Sequence, residues 1–189
     1  CGYFQVTEKD GFRCSTAVGY LNPIKKRGNL KIITNAHVKK INFQNKIAKE
    51  VEYWQDNEVK KLVVNREIIL SSGSIGSPQI LQTSGIGNAN KLNNLGIEVV
   101  QELKGVGENL QDHLMFRPIY KVHGLKSLNK KVNSLFGKLM IGLEYVFNRS
   151  GPMTMGASQM CMFAKSDPSL ELPDCLLYTS PSPRDPIGS

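Results

Sequence analysis

Residues 73–87, GSIGSPQILQTSGIG, are the stretch of this sequence that decides its fold. They follow an apolar run at residues 68–70, which is typical of a strand buried inside a sheet. Ser77 and Pro78 then suit the cap and the first position of a helix. A strand, a turn of small residues and a helix form the arrangement that presents backbone N–H groups to a phosphate or nucleotide. The dinucleotide fingerprint itself is absent, because Asn90 stands where its third glycine belongs.

The segments on either side of this stretch alternate between strand and helix patterns. Three strand-like segments precede it, separated by polar turns, at residues 30–43, 47–55 and 59–70. After it, residues 89–95 favour a short helix closed by Gly96, and residues 97–101 favour a strand. The sequence therefore predicts a mixed α/β fold.

Two further helices are predicted outside this region. Residues 15–21 favour a short helix with Ser15 as its cap, ended by Asn22 and Pro23. Apolar residues recur every three or four positions over residues 128–146, which predicts one long amphipathic helix.

The composition is that of a globular protein with a basic surface. The chain has 189 residues, of which 40% are apolar, and its 24 Lys and Arg outnumber its 16 Asp and Glu, giving +8. This apolar content is too high for a disordered protein, and no apolar run approaches the ~20 residues that span a bilayer. Residues 20–66 carry a net charge of +7 that is interleaved with Ile, Val and Leu. We therefore favour a solvated sheet face over a nucleic-acid-binding or interaction module without catalysis, which is the alternative interpretation.

Residues 73–87 resemble the second signature of the glucose–methanol–choline (GMC) flavoprotein oxidoreductases at every defined position. Three other segments resemble that family in the same order as its own motifs. They are residues 10–17 (DGFRCSTA), the strand-like segment with Leu30, Thr34, Ala36, Val38 and Ile41, and residues 105–113 (GVGENLQDH). On these four motifs the chain is identified as a member of the family. Its overall sequence resembles the arthropod glucose-dehydrogenase-like branch.

The resemblance implies a set of contacts with FAD, the cofactor of this family. By position, the cofactor-binding residues would be Val38, Ser72, Gly73, Ser74, Asn109, Asp112 and His113. Val38 would contact the adenine end through its backbone, and residues 72–74 would approach the cofactor at the end of the buried strand. Asn109, Asp112 and His113 would lie near the flavin, where we favour a hydrogen-bonding role for His113 over a catalytic one.

The resemblance also implies that the chain is an internal fragment of a longer enzyme. The family's amino-terminal GxGxxG and its carboxy-terminal catalytic histidine have no counterpart here, so no catalytic residue is assigned and the fragment alone is expected to be inactive. Residues 1–113 would be the carboxy-terminal part of an FAD-binding, Rossmann-like domain, and residues 114–175 the beginning of an α+β substrate domain. Residues 176–189 are interpreted as a non-native tail, whose prolines are not expected to pack as a strand.

The implied function is FAD-dependent oxidation of a CH–OH group in a small alcohol or sugar, by a dehydrogenase or oxidase that passes electrons to oxygen or a quinone. No nucleic acid and no membrane span are expected. No metal is expected either, because the four cysteines form no CxxC pair and no histidine stands at ligand spacing. The compartment stays open, and secretion would require a signal peptide in the full-length protein.

Overall fold

The structure, a computed structural model, describes residues 1–3, 5–120, 124, 128–156, 158 and 160–178. The chain divides into two compact units. Lys31–Phe116 forms one unit, and Cys1–Leu30 forms the other together with the described residues from Arg117 onward. The sequence instead divides the chain once, at residue 113, and that assignment to an FAD domain and a substrate domain stays a prediction.

Short strands and helices alternate along the described residues. The strands are β1 (Gly2–Tyr3), β2 (Glu8–Lys9), β3 (Phe12–Arg13), β4 (His37–Gln44), β5 (Ile47–Gln55), β6 (Glu58–Val63), β7 (Ile86–Gly87), β8 (Gln101–Glu102), β9 (Met160–Ala164) and β10 (Cys175–Tyr178). The α-helices are α1 (Asn22–Ile24), α2 (Gly73–Thr83), α3 (Ala89–Asn94), α4 (Leu128–Val132) and α5 (Leu135–Asn148). A π-helical turn, Ala17–Leu21, and a 3₁₀ turn, Pro152–Thr154, complete the set.

The centre of the unit Lys31–Phe116 is an antiparallel meander of β4, β5 and β6. Two residues form each of its turns, Asn45 with Lys46 and Asp56 with Asn57, and all four have φ between 51° and 63°. Paired left-handed residues are characteristic of type I′ turns, whose twist matches that of the flanking strands. Three strands and two turns therefore lie in the predicted order, but β4 begins at His37 rather than at residue 30, and β6 ends at Val63 rather than at residue 70.

The apolar run at residues 68–70 does not form the predicted buried strand. β6 ends at Val63, and residues 68–70 lie in no strand, with Ile69 81% exposed. A central strand needs a neighbour at each edge and a layer over each face. Within the described ranges no strand pairs with this run, so Ile68 and Leu70 are only half-buried and Ile69 is exposed.

Helix α2 begins at Gly73, one turn before the predicted start at Ser77. Ser77 is not the cap; its hydroxyl accepts a hydrogen bond of 3.0 Å from the backbone N–H of Ser72. This bond satisfies an amide at the helix start, and Pro78 lies inside the helix rather than at its first position. The small residues predicted as a turn therefore form the first turn of α2.

Helix α3 follows the prediction, whereas the strand predicted at residues 97–101 is wrong except at Gln101. Asn88 caps the helix by accepting a hydrogen bond of 3.1 Å from the backbone N–H of Lys91. Gly96 has a φ of +70° after the helix, and the N–H of Ile97 donates to the carbonyl of Leu92 at 2.9 Å. This is the left-handed helix end expected of glycine. β8 begins at residue 101, where the predicted strand 97–101 ends, and pairs in parallel with β7.

The buried apolar side chains among the described residues are Ile41, Tyr53, Ile80 and Leu92. They come from β4, β5, α2 and α3, in that order. Helix α2 packs on β4 and on β7, and α3 also packs on β7. The core of this unit therefore lies between α2 and the meander and continues to α3.

The first helix of the chain is longer than the sequence predicts. Ser15 accepts a hydrogen bond of 3.4 Å from the N–H of Val18, which confirms it as the capping residue. The π-helical turn then runs directly into α1, so Asn22 and Pro23 do not end the helix. Pro23 lies in the first turn of α1, and because it has no N–H it cannot continue the hydrogen bonds of the π-helical turn.

The long helix predicted over residues 128–146 is broken into α4 and α5. Ser134 begins the second helix, because its hydroxyl accepts a hydrogen bond of 3.4 Å from the N–H of Gly137. Gly137 lies so close to the carbonyl oxygen of Lys131 that no side chain fits there. α5 ends at Asn148 as predicted, followed by Arg149 with a φ of +50°.

Strand β10 corrects the interpretation of residues 176–189 as unable to form a strand. Leu176, Leu177 and Tyr178 pair with β9 in an antiparallel register. The tail's prolines begin at residue 181, so these three residues keep the β propensity of leucine and tyrosine. Residues 179–189 lie outside the described residues, and the non-native origin of the tail stays a prediction. None of the described helices has the length and apolar content to cross a membrane.

Candidate functional site

The first turn of α2 presents backbone and hydroxyl groups to solvent. Ser72, Gly73 and Ser74 are all exposed, and the first turn contains no acidic residue. Gly73 has a φ of +80°, and a Cβ added there would meet nothing within 4 Å. The unpaired N–H groups of a helix start carry a partial positive charge, so this turn is open to an electron-rich group of a ligand.

Val38 lies near the other end of the same helix. It is half-buried in β4 opposite Tyr53, next to an irregularity of the strand at Lys39. The hydroxyl of Thr83 donates to the carbonyl of Lys39 at 2.9 Å. The hydroxyl of Ser84 accepts the N–H of Ile41 at 2.7 Å and donates to the carbonyl of Ile80 at 2.5 Å. The end of α2 therefore fixes the irregular part of β4 beside Val38.

Carboxylates of the meander pair with the lysines around Val38. Glu52 is only 7% exposed and forms a 2.8 Å ion pair with Lys39, whose ammonium lies 5.5 Å from the ring centre of Trp54. The hydrogen bond from Lys39 holds the pKa of the Glu52 carboxyl below its usual value. Hydrogen bonds from Asn42 and Lys61 lower the pKa of Glu50 in the same way. These lysines pair with carboxylates of their own sheet. This pairing agrees with a solvated sheet face rather than with a phosphate-binding surface.

The turn at residues 105–108 packs against α2. The side-chain amide of Gln82 donates to the carbonyl of Val106 at 3.2 Å. Gly107 has a φ of +78°, and a Cβ added there would lie 2.4 Å from the Gln82 amide nitrogen. Glu108 forms an ion pair with Lys91 of α3. Gly107 thus allows a close approach to Gln82, which a side chain would prevent.

Asn109, Asp112 and His113 follow this turn in an exposed segment without regular structure. Asn109 has a φ of +57°, a left-handed conformation that asparagine tolerates better than most residues. The carboxylate of Asp112 accepts a hydrogen bond of 2.8 Å from the backbone N–H of His113. Their exposed side chains are therefore accessible to a ligand.

The structure divides the predicted site residues between the two ends of α2. Residues 72–74 lie at its start, whereas the strand with Val38 and the turn before Asn109 both contact its last turn. Ser72 and Gln82 are ten positions apart, which corresponds to about 15 Å along a helix axis. An extended ligand is needed to reach both ends.

Gln82, Thr83 and Ser84 are the contact residues that sequence reasoning did not single out. Ser84 lies within the signature segment, residues 73–87, and it is only 6% exposed. A serine fixed in a helical motif beside apolar residues is a signal for a buried hydrogen bond. Nothing in the sequence indicates which strand or turn these three side chains meet.

The described residues fit an elongated, electron-rich cofactor such as FAD. The start of α2 offers N–H and hydroxyl groups, and there is open space beyond Gly73. The oxygens of a phosphate or a ribityl chain can accept hydrogen bonds from these groups. Among the described residues, no group of three or more His, Cys, Asp or Glu side chains has the arrangement of a metal site.

Comparison with known proteins agrees with this geometry. The model of the GMC oxidoreductase family matches residues 1–115. The oxygen-dependent choline dehydrogenase of Chromohalobacter salexigens is 42% identical over 176 residues, covering 93% of this chain and 31% of that protein. The mitochondrial choline dehydrogenase of Mus musculus is 38% identical over 184 residues, covering 96% of this chain and 30% of that protein. The chain therefore spans about a third of the length of these relatives.

Solved structures support the fold. An FAD-dependent oxidoreductase from Chaetomium thermophilum superposes with a TM-score of 0.70 and 26% identity, over 82% of this chain and 28% of that one. A fungal aryl-alcohol oxidase gives a TM-score of 0.67 and 27% identity, over 82% and 27% of the two chains. These matches confirm the predicted α/β fold class.

Proposed function

Because the chain belongs to the GMC oxidoreductase family, we propose that it is part of an FAD-dependent enzyme that oxidises a CH–OH group of a small molecule. The observation that carries this proposal is the signature segment, residues 73–87, which folds as α2 and β7 with an exposed, acid-free first turn. The same segment connects the strand of Val38 to the turn before Asn109. The alternative of a nucleic-acid-binding module gains no support from the meander, where Glu52 and Glu50 neutralise lysines.

Bound FAD would supply the acceptor for the hydride removed from the donor carbon. The chain's own residues would bind and orient it. The N–H groups of Gly73 and Ser74 and the hydroxyls of Ser72 and Ser74 would donate hydrogen bonds, and the backbone of Val38 would contact the adenine. Asn109 and Asp112 would hold the flavin side of the site. His113 would donate a hydrogen bond there rather than act as a proton acceptor.

We propose an alcohol rather than a sugar as the donor, and choline or a similar small alcohol as the first candidate. The support is the identity of 42% and 38% to two choline dehydrogenases. The name of the bacterial relative favours oxygen over a quinone as the electron acceptor. A glucose-dehydrogenase-like specificity stays a prediction from the resemblance of the sequence to that branch of the family.

The test is made on the complete protein that contains residues 1–189. We expect it to purify with the absorption spectrum of a flavin, and choline added without oxygen to bleach the oxidised band while glucose does not. A protein without flavin would overturn the cofactor assignment. Bleaching by glucose alone would overturn the choice of donor.

A matched pair of variants tests the contact at α2. Ser74→Phe places a bulky ring on the exposed first turn, and Gln79→Phe places the same ring on an exposed position further along the helix. We expect only Ser74→Phe to weaken FAD binding, by about tenfold, the equivalent of one strong hydrogen bond. Equal FAD affinity in both variants would show that the start of α2 does not contact the cofactor.

A further inference from the structure

We propose that Gln82 is a positioning residue: it fixes the turn at residues 105–108 against α2 and so sets where Asn109 begins the flavin side of the site. This inference rests on the proposed function. Gln82 is not among the residues proposed above to contact the donor or the cofactor, and the inference gives it a role. Its basis is the packing of one side chain between two glycines.

The side chain of Gln82 lies between Gly87 and Gly107. A Cβ added at Gly87 would lie 3.4 Å from Cγ of Gln82, and one added at Gly107 would lie 2.4 Å from its amide nitrogen. The same amide donates to the carbonyl of Val106. Gln82 therefore touches β7 through a methylene group at Gly87 and the turn through its amide at Val106 and Gly107.

The rest of the turn is held by weaker or more distant bonds. The N–H of Leu103 donates to the carbonyl of Gly87 at 2.9 Å, which anchors the chain before the turn begins. Lys91 and Glu108 form their ion pair at the surface, with 59% and 39% of their side chains exposed. Exposed pairs of this kind contribute little, since water screens them. The partly buried amide of Gln82 is the stronger of the two side-chain contacts.

The consequence falls on Asn109, the residue directly after the turn. Asn109 and the exposed segment that follows are the predicted flavin-side residues, and Asn109 already has a left-handed backbone. If the turn moves away from α2, Asn109, Asp112 and His113 move with it. A fixed turn keeps these side chains in one place and so lowers the entropy that cofactor binding must overcome.

The experiment compares Gln82→Met and Gln82→Glu in the complete protein, with Gln79→Met and Gln79→Glu as controls at an exposed position of the same helix. Methionine keeps the length but cannot donate, and glutamate places a carboxylate against the carbonyl of Val106. We expect hydrogen exchange at Val106 and Glu108, whose N–H groups are hydrogen-bonded within the turn, to quicken about tenfold in Gln82→Met and more in Gln82→Glu, with FAD affinity lowered in the same order. We expect the controls to match the unmodified protein.

Three outcomes separate the possible roles. Unchanged exchange and FAD affinity in both Gln82 variants would overturn the proposal. A lower melting temperature with faster exchange across all of Lys31–Phe116 would also overturn it, since Gln82 would then only fill space in the fold. If the unmodified protein binds no flavin, the proposed function fails by itself, and faster exchange confined to residues 106–113 would still support the fixing of the turn.

Discussion

The unit Lys31–Phe116 and helix α5 both have apolar residues in a regular pattern in their sequence, but only the unit Lys31–Phe116 buries apolar side chains. All the buried apolar residues within the described ranges lie in Lys31–Phe116. α5 has the most regular apolar spacing in the sequence, yet it buries no residue, and Leu135 is 85% exposed. Periodicity therefore shows which side of a helix is apolar. It does not show whether the same stretch of chain supplies the surface that covers it.

The difference follows from how many segments pack on one another. β4, β5 and β6 are joined by two-residue turns, and α2 packs on β4 through Ser84, whose partner Ile41 lies 43 residues earlier, so several segments of one unit cover this core. The described contacts between α5 and the segment of β2 and β3 are made at the end of the helix. Arg149 lies 4.7 Å from the ring centre of Phe12 and 4.9 Å from that of Tyr145, whose hydroxyl donates to the carbonyl of Gly11. These contacts fix the hairpin of β2 and β3 without covering the helix face.

The largest expected effect comes from Gly85, which joins α2 to β7. Its φ is +86°, and an added Cβ would lie 2.4 Å from the backbone carbonyl oxygen of Glu98. Gly85→Ala combines a left-handed backbone with a clash that cannot relax through a side chain. We expect the free energy of unfolding to fall by about 4 kcal/mol. Urea unfolding followed by the fluorescence of Trp54, the single tryptophan, measures it.

Gly96→Ala is the matched control for this variant. Gly96 also has a left-handed backbone, with a φ of +70°, but an added Cβ meets nothing within 4 Å. We expect a loss of only about 1 kcal/mol, from the backbone alone. Equal losses in the two variants would mean that Gly85 is not packed against Glu98.

A pair of leucine truncations tests the comparison directly. Leu92 is 2% exposed, and Leu139 of α5 is 59% exposed. We expect Leu92→Ala to lower the free energy of unfolding by about 3 kcal/mol, because it leaves a cavity in the core. We expect Leu139→Ala to change it by less than about 0.5 kcal/mol. A loss at Leu139 as large as that at Leu92 would show that α5 is covered in the 189-residue chain.

The sequence predicts the locally determined parts of this fold well. The meander turns at Asn45 and Asp56 and the helix end at Gly96 depend on residues within a few positions of one another, and all are confirmed. The predictions are wrong where a partner that is distant in sequence determines the local structure. The run at residues 68–70 lacks neighbouring strands, and the residues from Leu176 to Tyr178 form a strand because β9 lies beside them.

The candidate site divides in the same way. The motif in residues 73–87 indicates a helix start next to a cofactor, and the structure places that start in solvent with open space beyond Gly73. The contacts that connect the motifs could not be predicted. Gln82 meets Val106, and Ser84 meets Ile41, through side chains whose partners lie 24 and 43 residues away. Pattern and spacing do not encode such pairings.

The smallest predicted effect concerns the acid sensitivity of the meander. Because Lys39 lowers the pKa of Glu52 from its ordinary value of 4.5, the pair stabilises the fold fully above that value, and the contribution is lost as pH falls through the lowered pKa. Lys39→Met should therefore reduce the loss of unfolding free energy between about pH 6 and pH 3. The change should stay below about 1 kcal/mol, since 43% of the Lys39 side chain is exposed to screening water. Lys49→Met, an exposed lysine on β5, is the control, and urea unfolding at each pH measures both. An acid dependence that Lys39→Met leaves unchanged would show that the ion pair between Lys39 and Glu52 does not stabilise the meander around Val38.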